Sequence, residues 1–296
     1  MKFSIITPSY NNSAWLKLCI ASVADQSGVE VEHLIQDACS TDGTANWLTA
    51  DARVRAVFEK DAGMYDAVNR GYRRATGDIL AYLNCDEQYL PGALAQVRDF
   101  FARNPRVEVV LAGSLIIDEG GRYVCHRHLM VPNPRHIWYK FPFLTSSVFI
   151  RRRVFHDRGI DFDTRWRDLG DFHWARKLLE HQVPMAVCPG FTSAFVDRGD
   201  NMNLKSNALW ELVKTNAMIP IWIRLLKPLW IVNHRLRRVS HGHFRLQPFS
   251  YAVYTQSSSE RRVTFHVPRP TPIWWNRLGQ ESTKPSETPG WLGSRA

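Results

Sequence analysis

The chain has 296 residues, 45% of them hydrophobic, and a formal net charge of +10. That composition supports a folded core of one or two domains and excludes a disordered chain, while the positive balance favours anionic partners. Five widely spaced cysteines with no C-x-x-C pair (Cys19, Cys39, Cys85, Cys125 and Cys188) argue against a disulfide framework or a zinc site, and predict reduced thiols in a cytoplasmic protein.

The chain opens on a β-branched apolar run, Lys2–Thr7, that ends at Pro8 and predicts a buried strand. No apolar stretch at this end suits a signal peptide, and no run of about 18 apolar residues suits a spanning helix. Asn11, Asn12 and Ser13 offer N-cap chemistry for a helix to about Asp25. A second strand is expected over Val31–Asp37, then a Ser40–Gly43 turn and a helix to about Asp51. Val54–Phe58 is a third strand, Tyr65–Ala75 a helix, Ile79–Leu83 a fourth strand, Pro91–Arg103 a helix and Val107–Ala112 a fifth strand.

This alternation predicts an α/β fold with a mostly parallel central sheet and helices on both faces. Ligands on such sheets sit beyond the carboxyl ends of the strands. Polar clusters fall there four times: Thr7–Asn11, Asp37–Thr41, Glu59–Gly63 and Asn84–Glu87. Four strand ends converging on one rim define a site without any appeal to relatives.

After Leu115 the pattern changes. Leu115–Asp118 and Arg122–Cys125 read as a hairpin, Ser147–Arg151 as a strand and Asp171–His181 as a helix. Ala186–Cys188 and Thr192–Val196 read as short strands. Ser206 to about Arg238 has helical tendency broken at Pro220 and Pro228, and two late strands follow at Ser250–Thr255 and Arg262–Val267. Residues 276–296 read as a disordered tail.

Asn84-Cys85-Asp86-Glu87 follows a buried strand, where carboxylates suit Mg²⁺ or Mn²⁺ together with a diphosphate; a turn before the next helix is the plainer explanation. Asp37 either accepts hydrogen bonds from a base or ribose or forms an Asx-turn with Ser40 or Thr41. Asp61 to Gly71 is the most distinctive stretch, with Gly63 permitting close backbone approach and a helix start facing a phosphate.

The segments Ser4–Asn11, Gln36–Thr44, Asp61–Gly71 and Ala75–Glu87, in that order and spacing, resemble family 2 glycosyltransferases of the GT-A fold. The resemblance implies that Thr7, Pro8 and Asn11 line a nucleotide pocket, that Asp37 contacts the base, and that Asp61, Gly63 and Asn69 lie on the donor side. It places Asn84 and Asp86 at the D-x-D-type positions, with Asp86 the metal ligand and Glu87 a second candidate. Asn84, where the family commonly has an acid, departs from the pattern. Phe141–Arg153, Gly159–Asp163 and Gly170–Trp174 resemble the acceptor half, which implies a general base at Asp171, or alternatively Asp168; Phe195–Asn201 resembles a late loop of the group.

The expectation is therefore an inverting transferase that uses a nucleotide-sugar, a UDP-sugar first, with Mn²⁺ or Mg²⁺ and a glycan or lipid-linked acceptor. Residues 1–204 would form the GT-A domain (donor half about 1–112, acceptor half about 113–204), and 205–275 a helical, basic extension. Asn84 and Glu87 leave open a catalytically silent nucleotide-sugar-binding scaffold. No nucleic-acid module is present, so nucleic acid is not expected. Ile219–Val232, with Trp222, Trp230, Arg224 and Lys227, reads either as a buried helix pair or as a peripheral contact with an anionic membrane, on the cytoplasmic face of the inner membrane. His126 and His128 share one strand face and read as surface or acceptor-groove residues.

Overall fold

A computed structural model of the chain describes residues 1–139, 144–198, 206–244 and 246–274. The expected disordered tail, 276–296, lies outside the described residues, as do 199–201 of the expected late loop and 141–143 of the expected acceptor segment.

The first half alternates as its periodicity requires: β1 (Lys2–Ser9), α1 (Ser13–Ala24), β2 (Glu30–Asp37), α2 (Thr44–Leu48), β3 (Arg55–Phe58), α3 (Met64–Arg74), β4 (Ile79–Tyr82), β5 (Gln88–Tyr89) and α4 (Ala93–Arg103). Then come β6 (Val109–Ile117), β7 (Tyr123–Arg127), β8 (Val148–Arg151), α5 (Arg152–His156), α6 (Gly170–Glu180) and β9 (Met185–Val196). Three helices, α7 (Ser206–Ala217), α8 (Ile221–Leu225) and α9 (Lys227–Ser240), precede a hairpin of β10 (Phe249–Thr255) and β11 (Ser258–Val267).

The nine-stranded sheet runs β3-β2-β1-β4-β8-β6-β9-β5, with β7 on β6. β1, β2, β3 and β4 are mutually parallel, as are β6 and β9, while β8 enters antiparallel between the two groups. The central strands β4, β6 and β8 are apolar almost throughout because both faces are covered. Alternate residues serve opposite layers: Ile6, Leu80, Tyr82, Val109 and Leu111 pack with α3 and α6 residues, whereas Ile5, Ile79, Ala81, Val110 and Ala112 pack with α1 and α4 residues.

Two pairs of expected strands are single strands. β6 runs unbroken through Gly113 and Ser114, because Gly113 leaves room for the Phe191 ring and the Ser114 hydroxyl is hydrogen-bonded to Ser147 and Ser193. β9 likewise continues through Pro189 and Gly190. The β10–β11 hairpin returns to α1: Tyr251 and Val253 pack with Trp15 and Leu18, and Arg262 pairs with Asp25 at 2.6 Å.

Candidate active site

The carboxyl ends of β1, β2, β3 and β4 stitch together their own loops. Asn11, at φ +48°, accepts the Thr41 N–H at 2.8 Å through Oδ1, and its own N–H donates to Ser40 Oγ at 2.8 Å. Asp37 is fully buried; its two oxygens accept the Ser40 N–H (2.7 Å) and the Ser40 hydroxyl (2.8 Å). This is the Asx-turn geometry, and one remaining lone pair on each oxygen can still accept. Asn12 does not cap α1 with its side chain; that amide donates to Cys85 Sγ, and Asp42 accepts the Ser13 N–H from across the loop.

Thr7 lies beneath the rim rather than on it. Its hydroxyl is paired with His33 Nε2 at 2.9 Å, and burial holds His33 neutral by pulling its pKa down to about 3. Pro8 is buried, and the neighbouring Ser9, which pairs in register with Asp37, has a buried hydroxyl with no partner among the described residues. Ser9 belongs to the Thr7–Asn11 polar cluster, but nothing in the sequence singles it out from its neighbours.

Asp61 accepts the Gly63 N–H at 2.9 Å, and burial followed by its Asp66 and Asp37 neighbours raises its carboxyl above the usual range. Gly63 has φ +125°, and the Arg167 guanidinium lies over it, 3.7 Å from where a Cβ would stand. Asn69 is buried on α3. Its amide donates to the Phe162 carbonyl at 2.8 Å and accepts the Phe162 N–H at 3.0 Å, a buried clamp between α3 and the loop before α6.

At the end of β4, Asn84 and Glu87 turn toward each other. The Glu87 carboxyl accepts the Asn84 N–H at 2.9 Å and further bonds from the Asn84 amide and the Ser146 hydroxyl. Burial, then the adjacent Asp86 charge, pushes Glu87 up to about 8. Asp86 alone turns a carboxylate outward, with Arg198 at 3.8 Å. No group of three His, Cys, Asp or Glu side chains able to hold a metal occurs among the described residues. The donor set nevertheless suits a hard divalent ion, which commonly takes one carboxylate and completes its shell with phosphate oxygens and water.

Facing this rim is the start of α6. The Asp171 carboxylate accepts the Phe172 N–H at 2.7 Å and a hydrogen bond from the Tyr65 hydroxyl. Burial raises it to about 7. Gly170 is required here, since a Cβ would stand 2.5 Å from the Tyr65 ring. Tyr65 stacks on Phe162, which stacks on Trp174, so an aromatic stack lies beside Asp171. Asp168 accepts the Asn207 amide at 2.5 Å. The loop's shape comes from Glu211 of α7, whose carboxylate accepts the N–H groups of Arg167 (2.7 Å), Asp168 (3.0 Å) and Leu169 (2.9 Å). Neither Arg167 nor Glu211 was legible, because their partners are distant in sequence.

His126 is buried and His128 is half-buried. Burial keeps His126 neutral by depressing its pKa to about 4; its Nδ1 pairs with the Tyr123 hydroxyl, and both rings pack on Phe191.

A curled, mostly parallel sheet with polar strand ends on one rim and a carboxylate-bearing helix start across from it defines the GT-A type of α/β fold. Residues 4–160 match the glycosyl transferase family 2 model, and the chain belongs to that family. It is similar to a Mycobacterium tuberculosis protein named PGL/p-HBAD biosynthesis glycosyltransferase, 32% identical over 57% of this chain; the match spans 66% of the relative, just short of two thirds. Among solved structures it is similar to Staphylococcus aureus TarS 1-349 in complex with UDP-GlcNAc (TM-score 0.59, 19% identity, 73% of this chain and 64% of that one). It also resembles the Pyrobaculum calidifontis mannosyltransferase PcManGT in complex with GDP-Man and Mn²⁺ (TM-score 0.50, 19% identity, 70% of this chain and 59% of that one).

Proposed function

We propose that this chain moves a sugar from a nucleoside-diphosphate sugar to a hydroxyl of a glycan or lipid-linked acceptor, inverting the anomeric centre. The observation that carries the reading is Asp171: a carboxylate raised to about 7, facing the strand-end rim and tied to it through Tyr65. A general base works best with a pKa near the working pH.

In the proposed step the acceptor oxygen bonds to the anomeric carbon as its proton passes to an Asp171 oxygen. The bond from that carbon to the diphosphate oxygen breaks, and the electron pair leaves with the nucleoside diphosphate. One displacement inverts the centre. Pro8, Asn11, Asp37 and the Ser9 hydroxyl form the nucleotide side, with Asp61 and Gly63 beside the donor sugar. Thr7 and Asn69 support this arrangement from beneath. Arg167 over Gly63 and Arg198 beside Asp86 supply cations toward the diphosphate. Asp86 would hold Mn²⁺ or Mg²⁺, which when bound supplies further charge for the leaving group. Asn84 and Glu87 shape the Asp86 turn. A UDP-sugar is the first donor to try, because the TarS neighbour was solved with one.

The test is nucleoside-diphosphate release from a donor panel with Mn²⁺ and a glycolipid extract as acceptor, with product anomers read by NMR. Donor-specific release, lost in Asp171→Asn and giving the inverted anomer, supports the reading. Tight donor binding without turnover favours the silent scaffold that Asn84 and the inward Glu87 leave open.

A further inference from the structure

Fourteen of the seventeen large apolar side chains left exposed among the described residues lie between Leu209 and Phe244, on α7, α8, α9 and the turns around them. The helices are amphipathic in the inverse sense. The inward face of α7 carries Glu211 and Thr215, whose side chains bond the loop before α6 and His173, while Leu209, Trp210, Leu212 and Val213 face out. On α9, Arg237 turns inward to the Val131 carbonyl and His136. Leu229, Val232, Leu236 and Val239 are 60%, 54%, 61% and 63% exposed, at the i, i+3, i+7 and i+10 spacing of one helix face. No residue of α9 is buried. A continuous exposed apolar face of this kind marks a docking surface.

The charge on the same segment selects the occupant. From Leu212 to Ser259 there are seven Lys or Arg and no Asp or Glu. Arg224, Lys227 and Arg235 are exposed beside the apolar residues. A second copy packed two-fold on this face would cover the apolar stripe but set these cations against their own duplicates. A nucleic acid would meet the cations but leave the leucines in water. An anionic lipid surface satisfies both, taking apolar side chains to the acyl boundary and cations to the phosphates. No helix among the described residues is long and apolar enough to cross a membrane. We infer that the outer face of α7, α8 and α9 lies in the plane of an anionic lipid surface. Because the inner face of α7 holds the Asp168 loop through Glu211, this seat brings the acceptor side of the candidate site close to the lipid headgroups.

The test is flotation of the full chain with phosphatidylcholine vesicles, with and without phosphatidylglycerol; it reads no transfer, so it stands or falls independently of the proposed activity. The wild type should float with the anionic vesicles and far less with phosphatidylcholine alone. Leu229→Asp with Leu236→Asp, at exposed positions, should keep the wild-type Tm and lose flotation at least tenfold. Arg224→Gln, Lys227→Gln and Arg235→Gln should each weaken partitioning about fivefold. Failure of the wild type to float, or flotation unchanged in the double variant, would overturn the inference. So would a dimer in light scattering that the double variant dissociates without any vesicle binding, or binding to a DNA oligonucleotide in place of vesicles.

Discussion

The Tyr65 hydroxyl donates a hydrogen bond to the Asp171 carboxylate, joining the first turn of α3 to the first turn of α6. The proton affinity of Asp171 therefore depends on a residue at the start of α3.

The rate should follow that affinity. With Asp171 at about 7, kcat/KM rises roughly tenfold per pH unit below 7 and levels off above it. The Tyr65 bond stabilises the carboxylate, so Tyr65→Phe should move the midpoint upward by up to about one unit while leaving the plateau within roughly tenfold. Asp171→Asn should lower transfer by about 10²- to 10⁴-fold. A pH–rate profile of the three proteins checks this.

Stability should run the other way. Asp171 rises from 3.8 to about 7 on folding and Glu87 from 4.5 to about 8, so both bind protons more tightly in the folded state. Their contribution is fully present below about pH 4 and is lost as pH rises through 7 and 8. Asp171→Asn and Glu87→Gln should each therefore raise Tm at pH 8 relative to wild type and have little effect at pH 4. Thermal melts at both pH values decide.

Glu211 should matter more than its place outside the rim implies. Removing its carboxylate leaves three N–H groups of the base loop without their acceptor, and hydrogen bonds to a charged group contribute about 1.5 to 3 kcal/mol each. Glu211→Ala should lower stability by about 3 kcal/mol or more, and Glu211→Gln by less, since one acceptor oxygen remains. Chemical denaturation measures both, and kcat should fall in the same order.

Gly170→Ala tests the packing beneath the base. The added methyl meets the buried Tyr65 ring at 2.5 Å, and overpacking of this kind costs about 1 to 3 kcal/mol. The ring must shift away from Asp171, so turnover should drop more than donor affinity does. Kinetics alongside calorimetry of donor binding separates the two.

The first half was largely legible because parallel strands read as apolar runs that stop at polar clusters, as at Thr7 and Asp37. The lower legibility of the second half has physical causes. Gly113-Ser114 and Pro189-Gly190 look like strand breaks, but a close ring contact and a buried hydroxyl network carry β6 through the first, and β9 passes through the second. Glu211 and Arg167 act on partners that only tertiary folding brings near. α7 was read as a helix, but its inverted faces could not be, since periodicity tells that two faces differ and not which one turns inward. Asn69 sits in a motif the family resemblance assigned to the donor, and its pairing with the Phe162 backbone, 93 residues away, is set only by tertiary folding.

The most direct test of a nucleoside-diphosphate-sugar site at this rim is calorimetric titration of UDP-, GDP-, CDP- and dTDP-sugars into wild type and Asp86→Asn, each with Mn²⁺ and with chelator. Binding of one nucleotide class is expected, tightened at least tenfold by Mn²⁺ in the wild type and not in the variant. Absence of binding by every donor, or equal tightening by Mn²⁺ in Asp86→Asn, would contradict it.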